Sequence, residues 1–230
     1  MLDKILQIIK GKHPLIPKDA GDFASVKVSG MKFRISAYTA EGLGHVSVMS
    51  AKGFFGLMKM DTVIINPLDV DLPLLSYDRI FVMGNDTIYI ELFDTLLGSF
   101  DGKPLNAVKD NYVAIPEHDH GTHWYDNLLL PSSIHKRAKK QTPTFNRLAD
   151  EYFSAFFSIE APAVSDPAAK RAKAIEYVEG LISSGGPSTD VFKKKFGEEY
   201  TGKLFHTVLF GTQCHQPYHN YTELKSINQV

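Results

Sequence analysis

An α+β fold, with helices layered on an antiparallel sheet, is the class this sequence predicts. Three observations carry that expectation. From about residue 31 to residue 93, apolar and polar side chains alternate in successive runs, the period of half-buried strands. The runs are separated by short Gly-containing turns, which suit antiparallel neighbours and are too short for the crossover a parallel pair needs. Beyond residue 142 the spacing becomes helical and stays so, and strands followed by helices argue for one class of element layered on the other.

Taken in order, Met1–Lys10 reads as a short amphipathic helix, joined by a linker containing Pro14 and Pro17 to the strands that begin near residue 31. Met31–Tyr38, His45–Ser50 and Leu57–Ile65 alternate as strands, and Gly84-Asn85-Asp86 marks a hairpin turn between two more. The stretch 98–131 mixes loop signals with a strand expected at Asn127–Leu130. After Thr142-Pro143, apolar residues from Phe145 to Phe156 recur at helical spacing, and Ala161-Pro162 ends that helix. Asp166-Pro167 opens a second helix with Ala168, Ala172, Ile175, Val178 and Leu181 on one face, stopped by Gly185-Gly186-Pro187. Ser188 is placed to cap a third, running through Phe192, Phe196, Tyr200 and Leu204 to Leu209. One domain over 1–230 is expected, with 1–30 as helix and linker and 213–230 as a poorly ordered tail.

Composition removes several classes. With 43% hydrophobic and 22% charged residues the chain has ordinary globular usage, and its net charge of −1 supplies no global field for nucleic acid or an anionic membrane. The single cysteine, Cys214, forbids an internal disulfide and fits a reducing, cytoplasmic compartment. The N-terminus lacks the basic start and long apolar core of a signal peptide, and no apolar run reaches membrane-spanning length. There is no Gly-rich phosphate or dinucleotide loop and no Gly-x-Ser-x-Gly elbow, which weakens hydrolase and nicotinamide-dehydrogenase readings.

Asp78 is the most informative single residue. It sits among the apolar runs Thr62–Ile65, Ile80–Met83 and Ile88–Phe93. If its side chain faces the interior, ionisation is costly, its pKa rises and it becomes a proton donor. The alternative is a surface acid at a strand end. Glu117-His118-Asp119-His120-Gly121-Thr122-His123 is the densest group of candidate metal ligands, read either as a metal-binding loop or as polar lining beside the aromatic pair Trp124-Tyr125. Two basic groups, His135–Lys140 and Lys193–Lys195, read as solvated surface able to dock an acidic partner.

Four segments resemble the ferredoxin-dependent bilin reductases and their relative, red chlorophyll catabolite reductase. Leu72-Pro73-Leu74-Leu75-Ser76-Tyr77-Asp78-Arg79-Ile80 is similar to the segment holding that family's catalytic aspartate, and Val63-Ile64-Ile65-Asn66-Pro67 to the strand before it. Trp124-Tyr125-Asp126-Asn127-Leu128-Leu129 and Phe192-Lys193-Lys194-Lys195-Phe196-Gly197-Glu198-Glu199-Tyr200, continuing to Val208-Leu209-Phe210, look like its Trp-Gly-x-Ile-Phe-Ser segment and its last helix. The resemblance implies a three-layer α/β/α sandwich with a central antiparallel sheet. It also implies a linear tetrapyrrole substrate, a reduced ferredoxin as an acidic electron donor, and no bound cofactor or metal. Asp78, Asp61 and Asp190 are the implied catalytic acids, Asp61 standing by spacing where some members have a pocket histidine. Met49, Val63, Tyr77, His118, His120, His123 and Trp124 are the implied substrate contacts. Alternatives are a tetrapyrrole-binding protein without turnover, and a metal-dependent enzyme using the His118/His120/His123 loop.

Overall fold

The computed structural model describes residues 1–213, apart from the side chains of Phe54 and Pro187. The tail expected over 213–230, with Cys214, therefore lies outside the described residues except for Gln213. The chain opens with helix α1 (Leu2–Lys10), which buries Ile5 and Ile9, four residues apart on one face. Eight strands follow: β1 (Leu15–Lys18), β2 (Ser25–Val28), β3 (Met31–Ala40), β4 (Gly44–Gly53), β5 (Met58–Pro67), β6 (Leu74–Val82), β7 (Asn85–Phe93) and, after helix α2 (Lys103–Asp110), β8 (Ile134–Lys139). The chain ends with helices α3 (Thr142–Phe156), α4 (Pro167–Ser184), α5 (Pro187–Phe196) and α6 (Glu198–Leu204), then a π-helical turn, Phe205–Leu209.

The strands form one antiparallel sheet in the order β1-β3-β4-β5-β6-β7-β8, with β2 beside β1 on the outer edge of β3. The meander follows from tight turns. Ser29-Gly30 and Met83-Gly84 are two-residue connections with positive φ at both positions, the turn whose twist matches paired strands. Strand alternation divides the core in two. One face carries Val46, Val48, Val63, Ile65, Leu75, Tyr77, Ile88 and Ile90 beneath α1, α2 and α3, whose Phe145, Leu148, Tyr152, Phe153 and Phe156 are fully buried. The other carries Phe33, Ile35, Met49, Met60, Ile64, Leu74 and Phe93 beneath α4, α5, α6 and the π-helical turn. Helices thus cover both faces of the sheet.

Four local expectations are corrected. Asn127–Leu130 is a 3-10 turn (Asp126–Leu128) followed by a single bridge from Leu129 to Phe93; the eighth strand is the supposed basic surface run instead. There Lys136 is buried, its Nζ donating to Ile115 O at 2.6 Å and Glu117 Oε1 at 3.0 Å, so its charge is neutralised in place. The third C-terminal helix is broken at Gly197, whose φ of 86° suits glycine. The linker before residue 30 contributes β1 and β2 to the sheet.

The C-terminal turn is fastened to the sheet by polar side chains of its central strands. His45 Nε2 bonds Val208 O at 2.7 Å, Ser47 Oγ donates to Leu209 O at 2.7 Å, and Asn66 Nδ2 donates to Phe210 O at 2.8 Å. These are carbonyls that a helix end leaves without intrahelical partners. A second buried tie joins α4 to the loop before β6: Lys170 Nζ donates to Asp71 Oδ1 (3.0 Å), Leu72 O (2.7 Å) and Thr95 O (2.9 Å). No helix among the described residues is long and apolar enough to cross a membrane.

Candidate functional site

Between the sheet and the C-terminal helices lies a cavity of about 290 Å³, with a smaller adjoining lobe of about 90 Å³; both are lined by Asp78, Glu91, Tyr125 and Ser188. The floor is a product of register. Met49, Thr62, Asp78, Tyr89 and His135 lie side by side across β4 to β8, and Ile64, Ser76 and Glu91 form the next row. Every member of both rows points to the same face, because paired residues in an antiparallel sheet share a side. The roof is Tyr177 and Leu181 of α4, Val191 and Phe192 of α5, and Phe205, Leu209 and Phe210 beyond α6. The loop between α2 and β8 supplies a wall: Tyr125, His120 and His123.

Asp78 is held by the sheet itself. Thr62 Oγ1 donates to its Oδ1 at 2.5 Å and Ser76 Oγ to its Oδ2 at 3.3 Å. Its remaining exposure is to the cavity. Burial dominates its electrostatics and pushes its carboxyl up to about 6, helped by the nearby negative charge of Glu91 and opposed by the Thr62 and Ser76 hydroxyls. Asp78 is thus a carboxyl that can hold and release a proton near neutrality. Glu91 is bonded on its other side to His135 Nε2 at 3.0 Å. Neither lobe is lined by Lys or Arg, so its polar character comes from two acids, hydroxyls and imidazoles.

The fold is shared with phytochromobilin synthase. The crystal structure of the tomato enzyme in complex with biliverdin matches with a TM-score of 0.74 at 13% identity, over 96% of this chain and 86% of that one. No protein-family model matches the sequence, and no curated protein does. The likeness is one of architecture: a large antiparallel sheet flanked by helices.

Of the residues singled out in the sequence, Asp78, Met49, His120 and His123 line the cavity. His118 stacks on the lining residue Tyr89, ring centroids 6.0 Å apart. Trp124 is the clamp behind the wall: its Nε1 donates to Gly185 O at 3.0 Å and its ring lies on Gly180 of α4. The others are placed elsewhere. Val63 and Tyr77 alternate with the floor residues and are fully buried on the opposite face, Tyr77 edge-on to Phe153 at 5.6 Å. Asp61 also faces away, near Arg79, Asp86 and Thr142, where burial raises its pKa against the opposing pull of the N-terminal amine, Lys52 and Arg79. Two carboxylates on adjacent strands face each other only at matching parity, and Asp61 pairs with Arg79, not Asp78. Asp190 is exposed in the first turn of α5, packed beside Gly185.

Sequence reasoning missed Glu91, Thr62, Ser76, Tyr89 and Tyr177. Glu91 had the same signal as Asp78, an acid inside an apolar strand. Counting outward from the Met83-Gly84 turn places it opposite Ser76, diagonal to Asp78 on the same face.

Proposed function

We propose that this protein is an oxidoreductase that binds a linear tetrapyrrole in the cavity and reduces it by single-electron steps from a reduced ferredoxin-type donor. Asp78 supplies the proton, and Glu91 takes the partner role that sequence spacing assigned to Asp61. The observation that carries the reading is Asp78 itself: a carboxyl centred on the floor of a mostly apolar cavity, where burial raises its pKa to about 6. Two acids and no fixed cation in the lining favour a ligand that turns N–H donors inward, as pyrrole rings do, and leaves its own carboxylates towards solvent. The shared fold with an enzyme crystallised with biliverdin supports the same substrate class. Lys194 and Lys195 stand exposed on α5, whose Val191 and Phe192 line the cavity, and suit an acidic redox partner with a small interface.

Anaerobic mixing with biliverdin and reduced ferredoxin is expected to bleach and shift the bound pigment's absorbance. Asp78→Asn should bind the pigment and stall, with turnover down at least about a hundredfold, the scale of general acid catalysis. No absorbance change of any linear tetrapyrrole on mixing would remove the proposal. A second reading, a tetrapyrrole-binding protein without turnover, is favoured by one observation: Asp61 and Asp190 lie outside the cavity. Tight binding with no reduction by the unaltered chain would select it.

A further inference from the structure

Glu91 has neighbours on the side away from Asp78 that proton donation does not use. It projects from β7 towards His135 of β8 and His120 of the cavity-wall loop. One oxygen of Glu91 and one ring nitrogen of each histidine all lie within 4.8 Å of one another. His135 Nε2 is 3.0 Å from Glu91 Oε1, and the rings of His120 and His135 are 4.0 Å apart. His120 Nδ1 is buried without a hydrogen-bond partner. A buried ring nitrogen is costly to leave unmet, and no hydrogen bond in the structure meets the need at His120 Nδ1, whose ring stands beside another imidazole and a carboxylate.

A bound cation would. Metal–ligand bonds of about 2.0–2.2 Å in a tetrahedral site put ligand atoms roughly 3.3 Å apart, so the Glu91–His135 pair, at 3.0 Å, already has nearly the spacing, and His120, within 4.8 Å of both, needs an approach of at most about 1.5 Å. We infer that Glu91, His120 and His135 form a mononuclear site for a divalent first-row transition metal of the zinc class, its open position turned to the cavity. Two imidazoles and one carboxylate are the ligand set of such sites when they keep a position for solvent or substrate. Glu91 and His120 both line the cavity, so a ligand there would reach the metal's open position. The site differs from the loop set His118/His120/His123. His123 Nε2 is taken up by His120 O at 2.8 Å, its ring stacks on Tyr125 at 4.9 Å, and His118 packs on Tyr89. Only His120 belongs to both.

The test uses the full-length, untagged chain stripped with a chelator and titrated with zinc(II) and cobalt(II), without tetrapyrrole, so its failure leaves the proposed reduction untouched. About one equivalent should bind, with a cobalt visible spectrum of low coordination number and no thiolate charge-transfer band. Glu91→Gln, His120→Asn and His135→Asn should each weaken binding at least about tenfold, while His118→Ala and Cys214→Ser leave it unchanged. Affinity should fall as the solution is acidified, because protons compete with the metal for its nitrogen ligands. Zinc should raise the thermal midpoint of the unaltered chain and not that of Glu91→Gln, a near-isosteric change whose apo midpoint serves as the folding control. Binding well below one equivalent, or equal loss in His118→Ala and the three ligand variants, would overturn the assignment.

Discussion

At Asp78, burial and two hydroxyl donors act in opposite directions, and burial prevails. A carboxyl whose folded pKa of about 6 exceeds the 3.8 of a free aspartate side chain binds its proton more tightly in the folded state. Between those values the unfolded chain holds fewer protons, so stability declines as pH rises from about 4 to 6 and is level above that. Asp78→Asn should remove this decline. It should leave the variant more stable than the parent at pH 8 by on the order of 1 kcal/mol, discounted because the group is only partly buried and opens onto the cavity. Urea unfolding at pH 4 and pH 8 checks this; an equal pH dependence in both proteins would place Asp78 in ordinary solvent. The same residue shows what local sequence conveys. An acid between apolar strand residues is visible in one dimension, but its face is set by pairing with Thr62 and Tyr89, which lie on other strands.

Elements meet through single positions. On α4, Gly180 lets the Trp124 ring approach so closely that an added Cβ would stand 2.1 Å from ring carbon Cη2. Gly180→Ala should therefore cost about 1–3 kcal/mol by overpacking, unlike an alanine at an ordinary helix site, which stabilises. Thermal unfolding decides, with near-ultraviolet circular dichroism reporting the displaced indole. On the sheet's other face, Lys27, Lys32, Lys52 and Lys59 are successive register partners across β2, β3, β4 and β5, all exposed. Like charges directly opposite oppose pairing, so Lys32→Glu, which turns the pairs with Lys27 and Lys52 from repulsive to attractive and leaves Lys52 beside Asp61, should stabilise by roughly 0.5 kcal/mol at low salt. The gain should shrink as salt is added. The basic run of β8 shows where composition misleads: Lys136 is buried against Glu117 and the Ile115 carbonyl, and Arg137 Nε donates to Thr87 Oγ1 at 2.9 Å. No property of the run alone signals that β7 needs a partner strand there.

Across the whole molecule, the cavity exists because the C-terminal layer is held onto the sheet at two ends. Lys170 secures α4 to Asp71, whose carboxyl is kept below its usual range by the Leu97 and Gly98 amides and by Lys170. Lys170→Met would leave Asp71 buried without its counter-charge and should destabilise the fold by about 3 kcal/mol or more, measured by chemical unfolding. At the other end, His45, Ser47 and Asn66 hold the turn that carries Phe205, Leu209 and Phe210 over the cavity. By itself, the sequence determined the alternating strands, a hairpin near Gly84, which the structure centres on Met83-Gly84 and not on Gly84-Asn85-Asp86, the helices after residue 142 and an acid worth following at Asp78. These depend on neighbours two to four residues apart, where side-chain period and turn chemistry act. Only the tertiary structure decided that Glu91 and not Asp61 shares the face of Asp78, that Val63 and Tyr77 pack under α3, and that His120 meets His135. Those depend on strand parity and loop closure over long sequence separations, set by which surfaces must be buried together and invisible to any local pattern.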